Sequence, residues 1–401
     1  MVPCHSYNDG GETPLSNYAF VYIPGQETSY LGREEFWASI PVVGGIVNAF
    51  TGNLSLSETD FELDGRGPDV TINRTYNSQD TGTGLFGKGW YSNLEQKVTE
   101  QANGDVLFTD DDKTIHRFRK VATNQYEAPL GVYLELTKDG NGFYLKDKDQ
   151  SITSFDTTGK LTSEKDDNGN KITYQYTSGK LTSITDASGR IISLQYQTDG
   201  FISNVTYETR VVSYTYNTGN LTEVKTPENR IDKYGYENGK LRFVYDPKHT
   251  TDTPSVTEYV YTTDKLTAVK DVLLKQTTLS YNTALREVTV TNPKGTLDVY
   301  TYSEAGNPVK TVMDSTNLKL TTTYQYENNN LIKKTDPKDQ GVRTFETYAF
   351  DGNGNVTQET DAVGTRHTNT MPTMILLRPL IRKVTPQLLP MKIPMLSPKQ
   401  M

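Results

Sequence analysis

Several stretches of this 401-residue sequence carry residue types at spacings suited to chemistry. Gly82 to Gly87 reads GTGLFG, the G-x-G-x-x-G spacing whose backbone amides can close on a dinucleotide pyrophosphate. That chemistry needs a strand before the glycines and a helix N-terminus after them. Here the glycines run into KGWYSNLEQKVTEQ, whose aromatics favour strand, so a glycine-rich turn is expected. DGNGN (Asp351 to Asn355) and DDNGN (Asp166 to Asn170) offer alternate oxygens to a calcium ion. An EF-hand loop needs Gly sixth and Glu twelfth; counted from Asp351 those are Val356 and Ala362, so hairpin turns are expected instead. Asp110, Asp111 and Asp112 could share a metal, but a solvated hairpin tip between DVLF and TIHRF fits them better. His5, His116, His249 and His367 lack the close spacing of zinc ligands. No Ser, His and acid grouping marks a nucleophile, so neither catalytic residue, metal nor cofactor is expected. Trp90 and Tyr91 remain as possible glycan-stacking rings, against the plainer expectation that they pack within the fold.

Composition narrows the fold that must position these residues. Apolar residues make up only 34%, beside 26 tyrosines and 31 glycines. That is too aromatic for disorder and too rich in turn formers for a helical protein. A net charge of −8 argues against nucleic acid or an anionic membrane as partner. Cys4 is the single cysteine, which excludes an intrachain disulfide and a cysteine zinc cluster. The opening MVPCHSYNDGGETPL lacks the basic and apolar regions of a signal peptide. IPVVGGIV (Ile40 to Val47) is far short of the roughly 20 residues of a membrane helix.

Tyr176, Tyr196, Tyr216 and Tyr236 then reveal a repeat with a twenty-residue step. Each unit has a Gly turn, a strand opening on a residue such as Leu181, Leu221 or Leu241, a second turn, and a strand ending Tyr-x-Tyr. Later units close at Tyr261, Tyr281, Tyr302, Tyr326 and Phe350. Side chains alternate across a strand, so Ile192, Leu194 and Tyr196 share a face, as do Val212, Tyr214 and Tyr216. A lone hairpin is marginal in water, so each unit must lean on the next. The product is an all-β array of short antiparallel strands.

These units resemble the YD repeats of the Rhs family, most clearly in GKLTSITDASGRIISLQY, GNLTEVKTPENRIDKYGY and FDGNGNVTQETDAVGT. Thr51 to Glu100, with its TGNL, GRG, RTYNS and FGKGW, is similar to the module that opens Rhs repeat regions. The nearest resemblance is to the wall-associated, contact-dependent toxins of Gram-positive bacteria. It implies strands winding into part of a hollow β-shell, a non-enzymatic scaffold around a C-terminal toxin domain that is absent here. It also implies a secreted or wall-associated protein. Cell-wall glycan binding by the repeats is the alternative. The expected layout is an irregular segment at 1–40, the opening β-module at 41–150, repeats at 151–366 and an aberrant tail at 367–401. An open final strand would invite self-association.

The tail holds five of the seven methionines and six of the eighteen prolines after Thr370, with no Asp, Glu, Gly or Tyr. Its back-translation in the adjacent frame permits Tyr-Glu-Tyr-Asp-Ala-Asn-Asp-Asp-Leu-Thr, a further repeat near the expected step. The tail is therefore read as out-of-frame translation.

Overall fold

The computed structural model describes residues 31–32, 36–248, 255–337, 345–361 and 364–367. Two turn chemistries, alternating along the chain, shape most of it. The first is the two-residue hairpin. Ser178-Gly179, Thr218-Gly219 and Asn238-Gly239 all hold positive φ, at 49° and 81°, 51° and 83°, and 52° and 78°. Two successive positive φ values match the right-handed twist of the flanking strands. The second is a five-residue turn opened by aspartate. Asp186 Oδ1 accepts from the Ser188 and Arg190 amides, and Asp271 and Asp351 repeat the pattern two and four residues on.

In several units, though not where Tyr281 faces Val288, the Leu-Thr pair carries a β-bulge. The register slips where Tyr176 faces Leu181, Tyr216 faces Leu221 and Tyr261 faces Leu266. The threonine hydroxyl bonds back across it, Thr182 to the Gln175 carbonyl and Thr222 to that of Thr215. Such bulges bend a strand and sharpen its twist, so their recurrence coils the ribbon. The closing tyrosine of each unit then locks onto its neighbour. Tyr196, Tyr216, Tyr261 and Tyr281 donate to the carbonyls of Leu181, Ile202, Leu241 and Leu266 at 2.7 to 3.0 Å. Lys180, Lys240 and Lys265 lie over three of these rings, and Phe201 stacks on the fourth. The expected aromatic face is present: Ile192, Leu194, Val212 and Tyr214 are buried, whereas Ser193 and Gln195 are not.

Two sheets result. In the first, β1 (Ser39–Val42), β2 (Gly45–Asn48), β3 (Leu54–Leu63), β4 (Val70–Asn77) and β7 (Trp90–Ser92) pair antiparallel in that order. The small hairpin of β5 (Thr83–Gly84) and β6 (Gly87–Lys88) stands between β4 and β7. In the second, β8 (Lys97–Glu100), β9 (Val106–Thr109) and β10 (Ile115–Ala122) begin a ribbon in which strand follows strand to Thr365–His367, with a bridge from Lys97 back to Lys160. The change of sheet falls between Ser92 and Lys97. The last described strand, Thr365–His367, pairs with Val356–Thr360, and the tail at 368–401 lies outside the described residues.

Candidate functional site: the seam between the opening sheet and the repeat wall

The opening sheet lies along one row of repeat turns. Ile202 donates to the Leu85 carbonyl at 3.0 Å, and Gly219 accepts from the Lys88 amide at 2.9 Å. Farther on, the Leu241 amide donates to Tyr76 Oη at 2.8 Å, Leu266 to the Gly52 carbonyl at 3.1 Å, and Ala38 to that of Gly306 at 2.7 Å. Earlier residues of the sheet thus meet later repeats, and the two run in opposite senses. Gly87 is glycine for this reason: at φ +97° a Cβ would stand 2.8 Å from the Gly219 carbonyl. The GTGLFG stretch is therefore a docking hairpin, with Phe86 buried against the Tyr214 ring at 4.9 Å.

At the centre of the seam lies a buried cation. Arg74 Nε donates to Asp60 at 2.7 Å and Nη2 to Tyr234 Oη at 2.8 Å, with both charged side chains nearly inaccessible. Burial opposes the guanidinium charge, but Asp60, Tyr234 and Glu58 favour it and hold its pKa well above the ordinary value. The guanidinium lies 4.4 Å from the Trp90 ring centre and 5.1 Å from that of Tyr234, two cation–π contacts in a dry setting.

This geometry corrects the glycan-stacking expectation for Trp90 and Tyr91. Trp90 is 0% exposed, its faces taken by Tyr76, Tyr234 and Arg74, and its Nε1 donates to Tyr236 Oη at 2.8 Å. Tyr91 is 6% exposed, and its hydroxyl donates to the Glu95 carbonyl. Neither ring offers a face to a sugar. Trp90 was missed as a seam residue because its partner Tyr236 lies 146 residues further along the chain.

The other candidates resolve into structural duties. Asp166 and Asp351 spend their carboxylates on turn amides and on the side chains of Asn170 and Asn355. Asp110 lies 3.6 Å from His116 Nε2 and accepts from Gln96; burial works against its charge, but these partners hold its pKa below the ordinary range. The Phe108 ring stacks on His116. Among the described residues no group of three His, Cys, Asp or Glu side chains could hold a metal, and no helix is long and apolar enough to cross a membrane. Cys4, His5 and His249 lie outside those residues.

Sequence reasoning missed Glu95. Its Oε1 accepts from the Leu85 amide at 2.9 Å, while Oε2 is shut from solvent and unpartnered. Burial pushes this carboxyl up to about 8. The folded state therefore holds a proton that the unfolded chain releases near pH 4 to 5. Stability is fully present below that range and is lost as pH rises toward 8. Glu95→Gln should accordingly raise the thermal midpoint at pH 8.5 and change it little at pH 4.5, as read by circular dichroism melts.

Comparison with known proteins agrees with the repeat reading. Residues 44–118 match the domain of unknown function DUF6531, and residues 155–191 match the RHS repeat. The tRNA3(Ser)-specific nuclease WapA of Bacillus spizizenii is 41% identical over 352 residues, and the tRNA nuclease WapA of Bacillus subtilis is 40% identical. Each alignment covers 86% of this chain but only 15% of the relative. Similar solved structures include the Photorhabdus luminescens Tc holotoxin pore, with 15% identity, TM-score 0.38, and 65% of this chain and 15% of that one covered. Another is TcdB2-TccC3-TEV, with 14% identity, TM-score 0.37, and coverage of 77% and 18%. By its repeat, its repeat-opening segment and its likeness to the WapA proteins, the chain belongs to the RHS (YD-repeat) family.

Proposed function

We propose that this chain is part of the wall of a shell that encloses a toxin domain carried elsewhere in the full-length protein, and that it performs no catalysis itself. One observation carries the reading: the ribbon comes round to meet its own start. Asn329 Nδ2 donates to the Leu130 carbonyl at 2.8 Å, and Lys148 Nζ to that of Gly354 at 2.7 Å. Gly354, at φ +74°, lies against the Tyr133 ring so closely that a Cβ would stand 2.2 Å from it. A ribbon that coils, returns and seals by turn-to-loop contacts surrounds a space. The polar groups at its seam are spent on holding it shut.

The relatives are named as tRNA nucleases, and this chain spans 15% of their length. The scaffold reading assigns that activity to the remainder. Two measurements test it. Purified chain incubated with bulk tRNA should leave it intact, and specific cleavage would overturn the non-catalytic assignment. In the full-length protein, limited proteolysis should spare the domain enclosed by the repeats until the wall is unfolded. Digestion at the rate of the free domain would overturn the enclosure. By family resemblance the full-length protein is secreted or wall-associated.

A further inference from the structure

The single cysteine leaves no disulfide within the chain, yet one pair of residues is placed to form another covalent staple. Asp80 follows β4 of the opening sheet, and Lys113 sits in the turn between β9 and β10 of the ribbon. Lys113 Nζ lies 2.5 Å from Asp80 Oδ2, with the Asp80 side chain 5% and the Lys113 side chain 23% exposed. The backbone accommodates this approach at some cost. Gly82 donates to Asp80 Oδ1 at 2.7 Å, and a Cβ on Gly82 would stand 2.7 Å from Lys113 Nζ. Lys113 itself holds φ +76°, at the turn position that Gly169 and Gly189 fill elsewhere. A side chain there costs about 1 to 2 kcal/mol, and such strain persists only where the surroundings impose it. The buried Tyr91 ring lies 5.7 Å from the ammonium. Two residues beyond Gly82, a Cβ on Gly84 would stand 2.8 and 2.9 Å from the two carboxyl oxygens of Glu95. Lys113 and Asp80 both act electrostatically on the Glu95 carboxyl, which places it near the pair.

We propose that Lys113 and Asp80 condense into an intramolecular isopeptide bond, with Glu95 as the proton carrier. A proton passes from the ammonium to the carboxylate, giving neutral amine and acid. The Nζ lone pair attacks Asp80 Cγ and forms the C–N bond. Glu95 protonates the departing hydroxyl and recovers a proton from the nitrogen, so one water leaves and Glu95 is regenerated. One ammonium and one carboxylate become one amide and one water, without oxidant or cofactor. Fixed proximity supplies the driving effect that free amines and acids in water lack. Glu95 carries its proton at neutral pH, as the role requires. The bond would fasten the opening sheet to the ribbon.

Intact-mass spectrometry of the purified, folded chain tests this. The expected mass is one water below that of the sequence, with a joined proteolytic fragment containing both Asp80 and Lys113. Lys113→Arg keeps the charge pair but cannot form this bond, and should show its full sequence mass. Glu95→Gln should also run at full mass, or convert far more slowly, with an unchanged far-ultraviolet spectrum. A folded wild-type chain at full mass is an ordinary ion pair and overturns the proposal. So does a water loss that survives in Lys113→Arg. Rapid water loss in Glu95→Gln overturns the role given to Glu95.

Discussion

Replacing Trp90 with alanine should lower the stability of the folded chain by about 3 to 5 kcal/mol, the range for truncating a fully buried large aromatic. In a chain of this size that is a fall of roughly 5 °C in thermal midpoint. The cost has three parts. The indole leaves a void between Tyr76 and Tyr234, each with its ring centre 5.4 Å away. Tyr236 Oη loses the hydrogen bond donated by Nε1. Arg74 loses its nearer cation–π face. All three losses fall where opening sheet meets repeat wall, so the variant should also undock before it unfolds. Limited proteolysis should cut first around residues 93–96, between the two sheets, which the wild type protects. In a Trp37→Phe background, native Trp90 emission should be blue-shifted, as from a dry site. An indole free to stack on a sugar would be removed for about 0.5 kcal/mol or less, so a near-silent Trp90→Ala would refute the seam described here.

The ribbon was legible in the sequence because its determinants are local. Ser-Gly and Asn-Gly pairs fix the tight hairpins within two residues, and alternation fixes which face Ile192, Leu194 and Tyr196 share. The role of aspartate in the wider turns is also local, since Asp186 and Asp351 bond amides two and four residues on. The bulge was less legible, although the recurrence of Leu-Thr after Gly-Lys or Gly-Asn is its signal. Leucine and threonine there read equally well as regular strand. The seam was not legible at all. Arg74 and Tyr234 are 160 residues apart, Trp90 and Tyr236 are 146 apart, and no periodicity links a non-repeating sheet to the wall it meets. Glu95 escaped notice for a related reason: its burial is set by Leu85 and the docking hairpin, not by its sequence neighbours. The one hint was chemical. An arginine in VTINRTYN, a strand otherwise destined for burial, must find an anion or stay outside.

That arginine gives the second large effect. Arg74→Ala should cost about 3 to 5 kcal/mol, because breaking a buried pair strands the remaining charge without compensation. Asp60 would stay where solvent cannot reach it, and the Tyr234 hydroxyl would lose its donor. Arg74→Lys should recover only part of this. One ammonium cannot reproduce the fork that reaches Asp60 and Tyr234 together while lying flat on an indole. The pH dependence separates charge from packing. Glu58 already sits above the ordinary carboxyl range because burial raises it, and Arg74 is the foremost group holding it down. Without Arg74 its folded-state pKa rises further above the unfolded one. The variant is then least damaged at low pH, where the carboxyl is protonated in both states, and loses stability as pH climbs through the new value. The gap between wild type and Arg74→Ala, measured by denaturant titration, should therefore be smaller at pH 4.5 than at pH 8. A gap independent of pH would mean that the side chain acts as filler. Replacing both partners with apolar residues of similar volume, Arg74→Met with Asp60→Leu, should restore most of the loss, since the pair itself is worth little beyond mutual neutralisation. Strong non-additivity between the two single changes is the expected signature of a direct pair. The seam then depends on the buried charge being balanced, more than on its being present.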